Sequence, residues 1–423
     1  MQMKYGLCKA TIVGLTLLLP AMVSPAIIAA TSEPANPEPP ETEAWEPETL
    51  QPTESDSISR YRDAIARLEV AGGAYNPALT EPLLELGMAL QRSGMHPEAI
   101  ELLKRGVHLA RINNGLYSEI QLALLESEIK SHVALGQFEE ADDRQRYLYR
   151  VQQRTLTDAG RGFAFMRQAQ WQRRAYELDL DENGFNRLIN MWNLHRMALA
   201  EFADADGEAA TTLLPPLYGM LRAQYLMSGS IGENSAGRFQ RAGFRIRGDD
   251  EGRLYAYRNQ SYKQGDSVIR TIFDVQAAQP GSSRFHRAEV LAMMGDWRLW
   301  HGRHTEALDA YAEAIIELAS ADGAQQSIAA LFGTPIPLPA LEGIRPLPVP
   351  TSPDQANLLL EFTVDERGRV RDLTRLDENE VSVGIVNRIM RTLRGTPFRP
   401  RFDTGEPVAT TGIQWAYDTD QWR

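Results

Sequence analysis

Three histidines are the residues best suited to chemistry: His286, His301 and His304, the last two only three residues apart. A metal site at such a pair needs further ligands held by hydrogen-bonded neighbours, and the surrounding sequence indicates none. The patterns HExxH and GxSxG, the Walker sequence and the glycine-rich dinucleotide loop do not occur in the chain. We therefore predict that the protein has no catalytic residues and binds no metal or cofactor. An enzyme with an unrecognised site in a groove is the alternative that the sequence leaves open.

A row of arginines is the second candidate site. Arg388, Arg391 and Arg394 recur at every third residue of a segment with helical periodicity. Arg399 and Arg401 follow that segment. A ridge of guanidinium groups suits the forked recognition of carboxylates. The pattern favours a solvated helix face whose arginines pair with nearby acids; the alternative hypothesis is that the first three arginines bind an anionic partner.

Helical hairpins are the elements that must position these side chains. Small and bulky residues stand at offsets 0, 7, 12, 16 and 19 in the stretch Gly295, Gly302, Ala307, Tyr311 and Ala314. Glycine at the second offset permits a tight turn between two helices, because a residue without Cβ adopts the left-handed conformation at little cost. The two alanines lie on one face of the second helix and let the first helix approach it closely. This spacing resembles the tetratricopeptide repeat.

Two earlier copies of the pattern extend the resemblance. Gly87, Gly94, Ala99 and Gly106 stand at offsets 0, 7, 12 and 19, and a middle copy keeps Gly136 and Ala141 but lacks the first glycine. One hairpin cannot bury its apolar face alone, so the resemblance predicts stacked neighbours. We predict a mainly α fold, with a tetratricopeptide-like α-solenoid over residues 58–330 that presents a groove to other proteins.

The segment between the middle and last copies has helical periodicity without the repeat signature. We predict degenerate helical hairpins over residues 161–230. Pro215 and Pro216 are expected to end one helix and begin the next, because proline lacks the backbone donor that a helix interior requires. Residues 228–254 are rich in glycine and polar residues and are expected to form a long loop.

A small α+β domain is predicted at the C-terminal end. Prolines crowd residues 331–355, which favours an extended polyproline linker. Residues 356–423 then give the order β-β-α-β: alternating apolar residues from Leu358, a turn at Gly368, a helix from Val383 and a last strand through Trp415.

This domain resembles the C-terminal domain of the TonB energy-transducer family. The matching residues are Phe362, Val364, Asp365, Gly368, Val370, Phe398, Pro400, Gly405, Pro407 and Val408, whereas the Tyr-Pro pair that usually opens the family's domain is missing. The resemblance implies energy transduction to outer-membrane receptors, provided that a membrane anchor is retained. Independently, a short sheet with unpaired edges predicts strand addition by a partner along the strand around Trp415.

The N-terminal residues indicate the compartment. Lys4 and Lys9 precede an apolar run that ends in small residues near Ala30, which is typical of a secretory signal peptide over residues 1–30. The run is also long enough to span a bilayer, so an uncleaved inner-membrane anchor facing the periplasm is the alternative. Residues 31–57 are acidic and rich in proline, and we predict a disordered spacer there.

Composition narrows the function. The formal charge is -12 and no basic face occurs in the repeat region, which argues against nucleic-acid binding. Cys8 is the single cysteine, so an internal disulfide is impossible. We predict a non-catalytic periplasmic scaffold whose partners are proteins of the cell envelope. Contact with a membrane is expected only if the N-terminal segment stays uncleaved.

Overall fold

The computed structural model describes residues 54–181, 184–204, 210–231, 248–320, 323–344 and 347–422, which belong to one unit, Pro52–Arg423. The predicted signal peptide and residues 31–53 of the predicted spacer lie outside these ranges. The last four spacer residues, 54–57, form the start of a helix instead. Acidic residues are favourable in a first helical turn, and the adjacent Ile58 anchors that turn in the core.

Helices follow one another along the chain up to Phe332. They are α1 (Glu54–Gly72), α2 (Thr80–Arg92), α3 (His96–Asn114), α4 (Ile120–Ala134), α5 (Phe138–Thr155), α6 (Asp158–Glu177), α7 (Gly184–Asp204), α8 (Ala210–Ile231), α9 (Gly248–Ala277), α10 (Arg284–Trp300), α11 (His304–Ala319) and α12 (Ala324–Phe332). Each helix packs against the next one in sequence. The pairs α2–α3, α4–α5, α6–α7, α8–α9 and α10–α11 stack into a tetratricopeptide-like array, which confirms the predicted fold class.

The turns inside three of these pairs have the same hydrogen bonds. Gly94, Gly136 and Gly302 adopt φ of 75°, 71° and 73°. In the last turn, the Gly302 N–H donates to the Leu299 carbonyl and the Arg303 N–H donates to the Arg298 carbonyl, both over 2.9 Å. The other two turns repeat this pattern, which satisfies the carbonyls that a helix end leaves without partners.

A fourth turn reaches the same geometry without glycine. Asp179 lies between α6 and α7 with φ of 58°, its N–H donates to the Tyr176 carbonyl, and the Leu180 N–H donates to the Ala175 carbonyl. Aspartate is one of the few residues that visits the left-handed region, because its short polar side chain bonds locally. The α6–α7 hairpin therefore belongs to the same array, although its sequence lacks the glycine signal.

Small residues lie where neighbouring helices touch. Gly87 faces Leu103, and a Cβ added at Gly295 would lie 2.3 Å from the Tyr311 ring. Gly106 makes the corresponding approach to Leu124 on the next helix. The other predicted packing residues, Ala99, Ala141, Ala307, Tyr311 and Ala314, are all fully buried. Close approach at these positions lets neighbouring hairpins bury their apolar faces together, in one cluster that spans α1–α6 and another that spans α6–α11.

Two local predictions for the middle of the chain are wrong. Helix α8 runs through Pro215 and Pro216, since both lie in its first two turns and Leu217, Leu221 and Tyr225 beyond them are buried. The expected loop over residues 228–254 is also shorter. Helix α8 continues to Ile231 and α9 begins at Gly248, while residues 232–247 lie outside the described residues.

The C-terminal module, residues 347–422, contains the predicted β-β-α-β order with additional short strands. Its elements are β2 (Leu358–Val364), β3 (Val370–Arg375), α13 (Val383–Gly395), β4 (Phe398–Arg399), β5 (Arg401–Asp403), β6 (Glu406–Val408) and β7 (Thr410–Tyr417), and one further strand, β1 (Ile336–Pro337), precedes the module. The main sheet is antiparallel with the order β3-β2-β7. Alternate residues of β2 are buried against the apolar face of α13, as the alternating pattern predicts.

The proline-rich segment is docked and does not form the predicted linker. Helix α12 extends into it, β1 pairs with β4, and the Leu338 N–H donates to the Pro397 carbonyl over 2.9 Å. The apolar residues between the prolines (Leu338, Leu341, Ile344 and Leu347) are buried. Their burial offsets the cost of ordering an extended chain. We call residues 333–344 the docked segment.

A glycine in a turn and a glycine at a helix contact should differ in which substitution they tolerate better, alanine or asparagine. At Gly302, space is open but φ is 73°, so Gly302→Ala should cost about 1 kcal/mol and Gly302→Asn less, because asparagine tolerates this conformation. At Gly295, the Tyr311 ring excludes any side chain, so Gly295→Ala should cost about 1–3 kcal/mol and Gly295→Asn more. Urea denaturation of the four variants measures both orders. The same order at both positions would contradict this account of the repeat.

Candidate functional site

A buried ion pair joins the last helix pair to the C-terminal module. Asp296 on α10 and Arg399 on β4 are only 1% and 5% exposed. Arg399 Nε donates to Asp296 Oδ1 over 2.8 Å, and Arg399 Nη2 donates to Asp296 Oδ2 over 2.5 Å. This bidentate geometry fixes the orientation of the module, in addition to the attraction between the two charges.

The groups around the pair satisfy its remaining hydrogen-bonding capacity. Arg399 Nη1 donates to the Leu331 carbonyl over 3.0 Å, and the Tyr311 hydroxyl donates to Asp296 Oδ1 over 2.9 Å. Burial lowers the pKa of Arg399, but the charge and hydrogen bonds of Asp296 outweigh it, so this pKa lies above its usual value. Burial, aided by the Asp296 charge, raises the pKa of Tyr225 and of Tyr311 well above their usual value. The guanidinium therefore stays charged and both phenols stay neutral.

The chain's own docked segment covers part of one side of the array. We call the side formed by α2, α4, α6, α8 and α10 the first-helix face. Arg173 on α6 donates to the Gly343 carbonyl, and Arg222 on α8 donates to the Glu342 carbonyl over 2.8 Å. Together with the ion pair on α10, these bonds fall on the first helices of three successive pairs. Residues of the same chain therefore cover this half of the first-helix face.

A cavity of about 300 Å³ lies beside the docked segment and tests the enzyme alternative. His195, 3% exposed, contributes to its wall, and burial followed by the Arg222 charge lowers its pKa to about 4. Its Nδ1 has no hydrogen-bond partner among the described residues. Glu177, the single carboxylate among the described lining residues, is held by Arg173 over 2.8 Å. The cavity thus holds a neutral imidazole without a partner for acid–base catalysis, and we assign it no reaction.

The three candidate histidines lie on the last helix pair, where His301 and His304 are half-buried and His286 is exposed. His301 lies edge-on to Trp297 with ring centroids 4.3 Å apart, and the His286 ring accepts or donates a hydrogen bond at Ser283 over 2.8 Å. Over the ranges that the structure describes, no group of three histidine, cysteine, aspartate or glutamate side chains is placed to hold a metal ion. Nor does any helix in those ranges have the length and apolarity needed to span a membrane.

The residues predicted to bind a partner lie on two parts of the module. Arg388, Arg391 and Arg394 are all exposed on α13, but Arg394 alone of these three lines a cleft against the last helix pair. Trp415 lies on β7, at one edge of the sheet, and packs its half-buried ring against Phe362 and Phe398. Arg399 does not extend the exposed ridge, as its position after α13 suggested, because its side chain turns inward to Asp296.

The functional residues that sequence reasoning missed are Asp296 and Arg399. They are 103 residues apart, and each carries a charge that no local pattern pairs with the other. The one available signal is Asp296 itself, a charge between Gly295 and Trp297 within an apolar repeat helix. A buried charge of that kind requires a partner, which the sequence does not identify.

Comparison with known protein families finds no family that matches the chain, and no characterised protein matches it. Two crystal structures of kinesin light chain TPR-like repeats from Podosopora anserina are 17% identical, with a TM-score of 0.36; the match covers 57% of this chain and 96% of theirs. BtubC (BKLC) from P. vanneervenii is 12% identical, with a TM-score of 0.34, over 71% of this chain and 96% of its own. With TM-scores below 0.5 these likenesses carry no argument, and the fold rests on the hairpin geometry described above.

Breaking the ion pair from one side should destabilise the protein strongly. Arg399→Met leaves the Asp296 carboxylate buried without its partner and should lower the free energy of unfolding by about 3–5 kcal/mol. The double variant Asp296→Leu, Arg399→Met should recover most of that loss, because no uncompensated charge remains. Urea denaturation measures both. Arg401→Met is the control: Arg401 is more exposed and its nearest carboxylate is 4.0 Å away, so a loss below about 0.5 kcal/mol is expected. Equal losses for Arg399→Met and Arg401→Met would contradict the assigned role.

Proposed function

We propose that the chain is a non-catalytic scaffold that binds other proteins through the uncovered part of its first-helix face. The observation that carries this proposal is the contrast within that face. Its α6–α10 half holds the docked segment and the module, whereas Met88 on α2 and Ala123 and Lys130 on α4 are exposed. A stack of helical hairpins offers an extended surface for such binding.

The contacts that α4 makes with α2 and α6 show where its exposed residues lie. Gln91 on α2 donates to the Ser131 hydroxyl over 2.6 Å, and Arg167 on α6 approaches Glu126 within 3.7 Å. These contacts fix α2 on one flank of α4 and α6 on the other. Ala123 and Lys130, two turns apart, lie between those flanks and face away from the core. A partner segment lying across α2 and α4 would meet them directly.

The C-terminal module supports a second contact as part of the same proposal. Strand β7 is at the edge of its sheet, and its outer side is paired with Thr351 at Ala416. Residues Thr410–Gln414 precede that bridge and form an edge to which an extended partner strand can add. The resemblance to the TonB C-terminal domain rests on the residues named from the sequence, and we propose the module as an interaction domain of that kind.

Site-specific photo-crosslinking tests the scaffold proposal. A benzophenone amino acid placed at position 130 should give a discrete crosslinked species in envelope extract, whereas the same group at position 104 should not. Lys104 is the matched control, since it is an exposed lysine on α3, the second helix of its pair. Excess unlabelled protein should abolish the crosslinked species. Unlabelled Lys130→Glu protein should compete at least about tenfold less well, because the reversed charge disrupts the electrostatic complementarity of the contact.

Two results would overturn the proposal. Equal crosslinking at positions 130 and 104 would mean that the surface is not selective. Full competition by the Lys130→Glu protein would mean that the crosslinked partner does not use the first-helix face.

We propose a periplasmic location on the basis of the N-terminal residues. The mature protein is then expected to begin near Thr31, after the small residues that close the apolar run. N-terminal sequencing of protein isolated from its native cells measures this. A mature chain that still begins at its first residues would favour an inner-membrane anchor and, with it, TonB-type energy transduction.

A further inference from the structure

A cleft lined by arginines lies between the last helix pair and the C-terminal module. We propose that it binds an acidic peptide segment of a partner protein. The cleft has a volume of about 610 Å³, within the range of sites that hold drug-sized ligands. One wall is formed by residues 228–229, 299–302 and 304, and the other by residues 367–371 and 394–397.

The charged side chains that line the cleft are all positive. The ionisable side chains of its walls are Arg367, Arg369, Arg371, Arg394, His301 and His304. Among the described residues that line the cleft, none is an aspartate or a glutamate. Guanidinium groups from two elements of the module therefore converge on one space without an acid between them.

One nearby carboxylate offsets a single arginine. Asp365 Oδ2 accepts a hydrogen bond from Arg371 Nε over 3.0 Å, while its Oδ1 accepts from the backbone N–H groups of residues 367 and 369. Arg367, Arg369 and Arg394 have no ion pair with any residue that the structure describes. Three guanidinium groups thus remain for a ligand, and each can hold a carboxylate in a forked geometry.

The arginines of the cleft affect the pKa of one of its two histidines, His304. Burial, followed by the charges of Arg369 and Arg367, lowers the pKa of His304, and the opposing effect of Asp365 is smaller. Burial and then the Arg303 charge lower the pKa of His301 to about 4. Both imidazoles are therefore neutral near pH 7, and the positive potential of the cleft comes from its arginines.

The shape and the overall charge favour a peptide over other anions. Leu299, Trp300, Val370 and Pro397 give the cleft apolar walls, which suit the side chains between the acids of a peptide. A single phosphate ion would leave most of the cleft empty. The net charge of -12 opposes approach to an extended anionic surface such as a membrane, whereas a short acidic segment reaches the local positive field.

The cleft also depends on the docked state of the module. Its lining residues belong to the end of α8, to α10, α11 and the turn between them, and to the module, which the Asp296–Arg399 pair holds against α10. Gly368 lies at this contact, where an added Cβ would lie 3.4 Å from the Leu299 side chain of α10. Binding of the peptide should therefore stabilise the docked state, since a ligand favours the state that contains its site.

A matched pair of double variants tests the proposal. The probe is a fluorescein-labelled peptide of about ten residues with six glutamates and two leucines, titrated by anisotropy at low salt. Arg369→Gln, Arg394→Gln should weaken binding at least about tenfold, because two charge-assisted bonds are lost. Arg60→Gln, Arg67→Gln removes the same charge from two exposed positions of α1, outside the cleft, and should change the affinity by less than about twofold. Thermal melting checks that both variants fold, as expected for exposed side chains.

Three outcomes would overturn the proposal: equal weakening by both double variants, no binding of the peptide at about 1 mM, or displacement of the bound peptide by inorganic phosphate at equal molarity. A fourth outcome would show that the ligand of the cleft is a membrane surface and not a peptide. In that case the protein would bind phosphatidylglycerol vesicles more strongly than the peptide, and the Arg369→Gln, Arg394→Gln protein would lose this binding. The crosslinks at position 130 do not report on this cleft, so the failure of either test is distinguishable from failure of the other.

Discussion

The ion pair between Asp296 and Arg399 is the interaction on which the arrangement of the chain depends. Both charges are withdrawn from water, and each is compensated by the other and by neutral groups around it. Such a pair contributes little net stability, but any other docked position that buried one of the two charges without its partner would be costly. It therefore determines where the module lies on the array. The docked segment, the basic cleft and the uncovered part of the first-helix face all follow from that position.

The array itself depends on small residues and on repeated turns. Glycine in the left-handed region reverses the chain after the first helix of a pair, and glycine or alanine at the contact lets the two helices share one core. Because each pair buries its apolar surface only against neighbours, the array continues until another element covers its end. Here α12 and the module provide that cover: Phe332, Leu338 and Phe402 pack with Tyr311 in one cluster.

Local rules made part of this structure predictable. The turns at Gly94 and Gly302 and the alternation of β2 each depend on residues close in sequence, so the pattern reports them directly. The turn at Asp179 was missed because aspartate reaches the same conformation by a different means. The docked segment was predicted as a linker because its prolines favour an extended chain, and the extended chain is indeed compatible with docking. The apolar residues between those prolines are buried against the helical array and the module, and no local sequence pattern identifies the surface on which they dock.

The proline-rich segment is docked between the last helix pair and the C-terminal module and does not form a free linker. Hydrogen–deuterium exchange at the Leu338 amide tests it most directly, because this N–H lies between two prolines and bonds to the Pro397 carbonyl of the module. A docked segment predicts exchange slowed by about a hundredfold or more, equivalent to an opening free energy of about 3 kcal/mol. Exchange at the rate of an unfolded chain, while the amides of β2 stay protected, would contradict it.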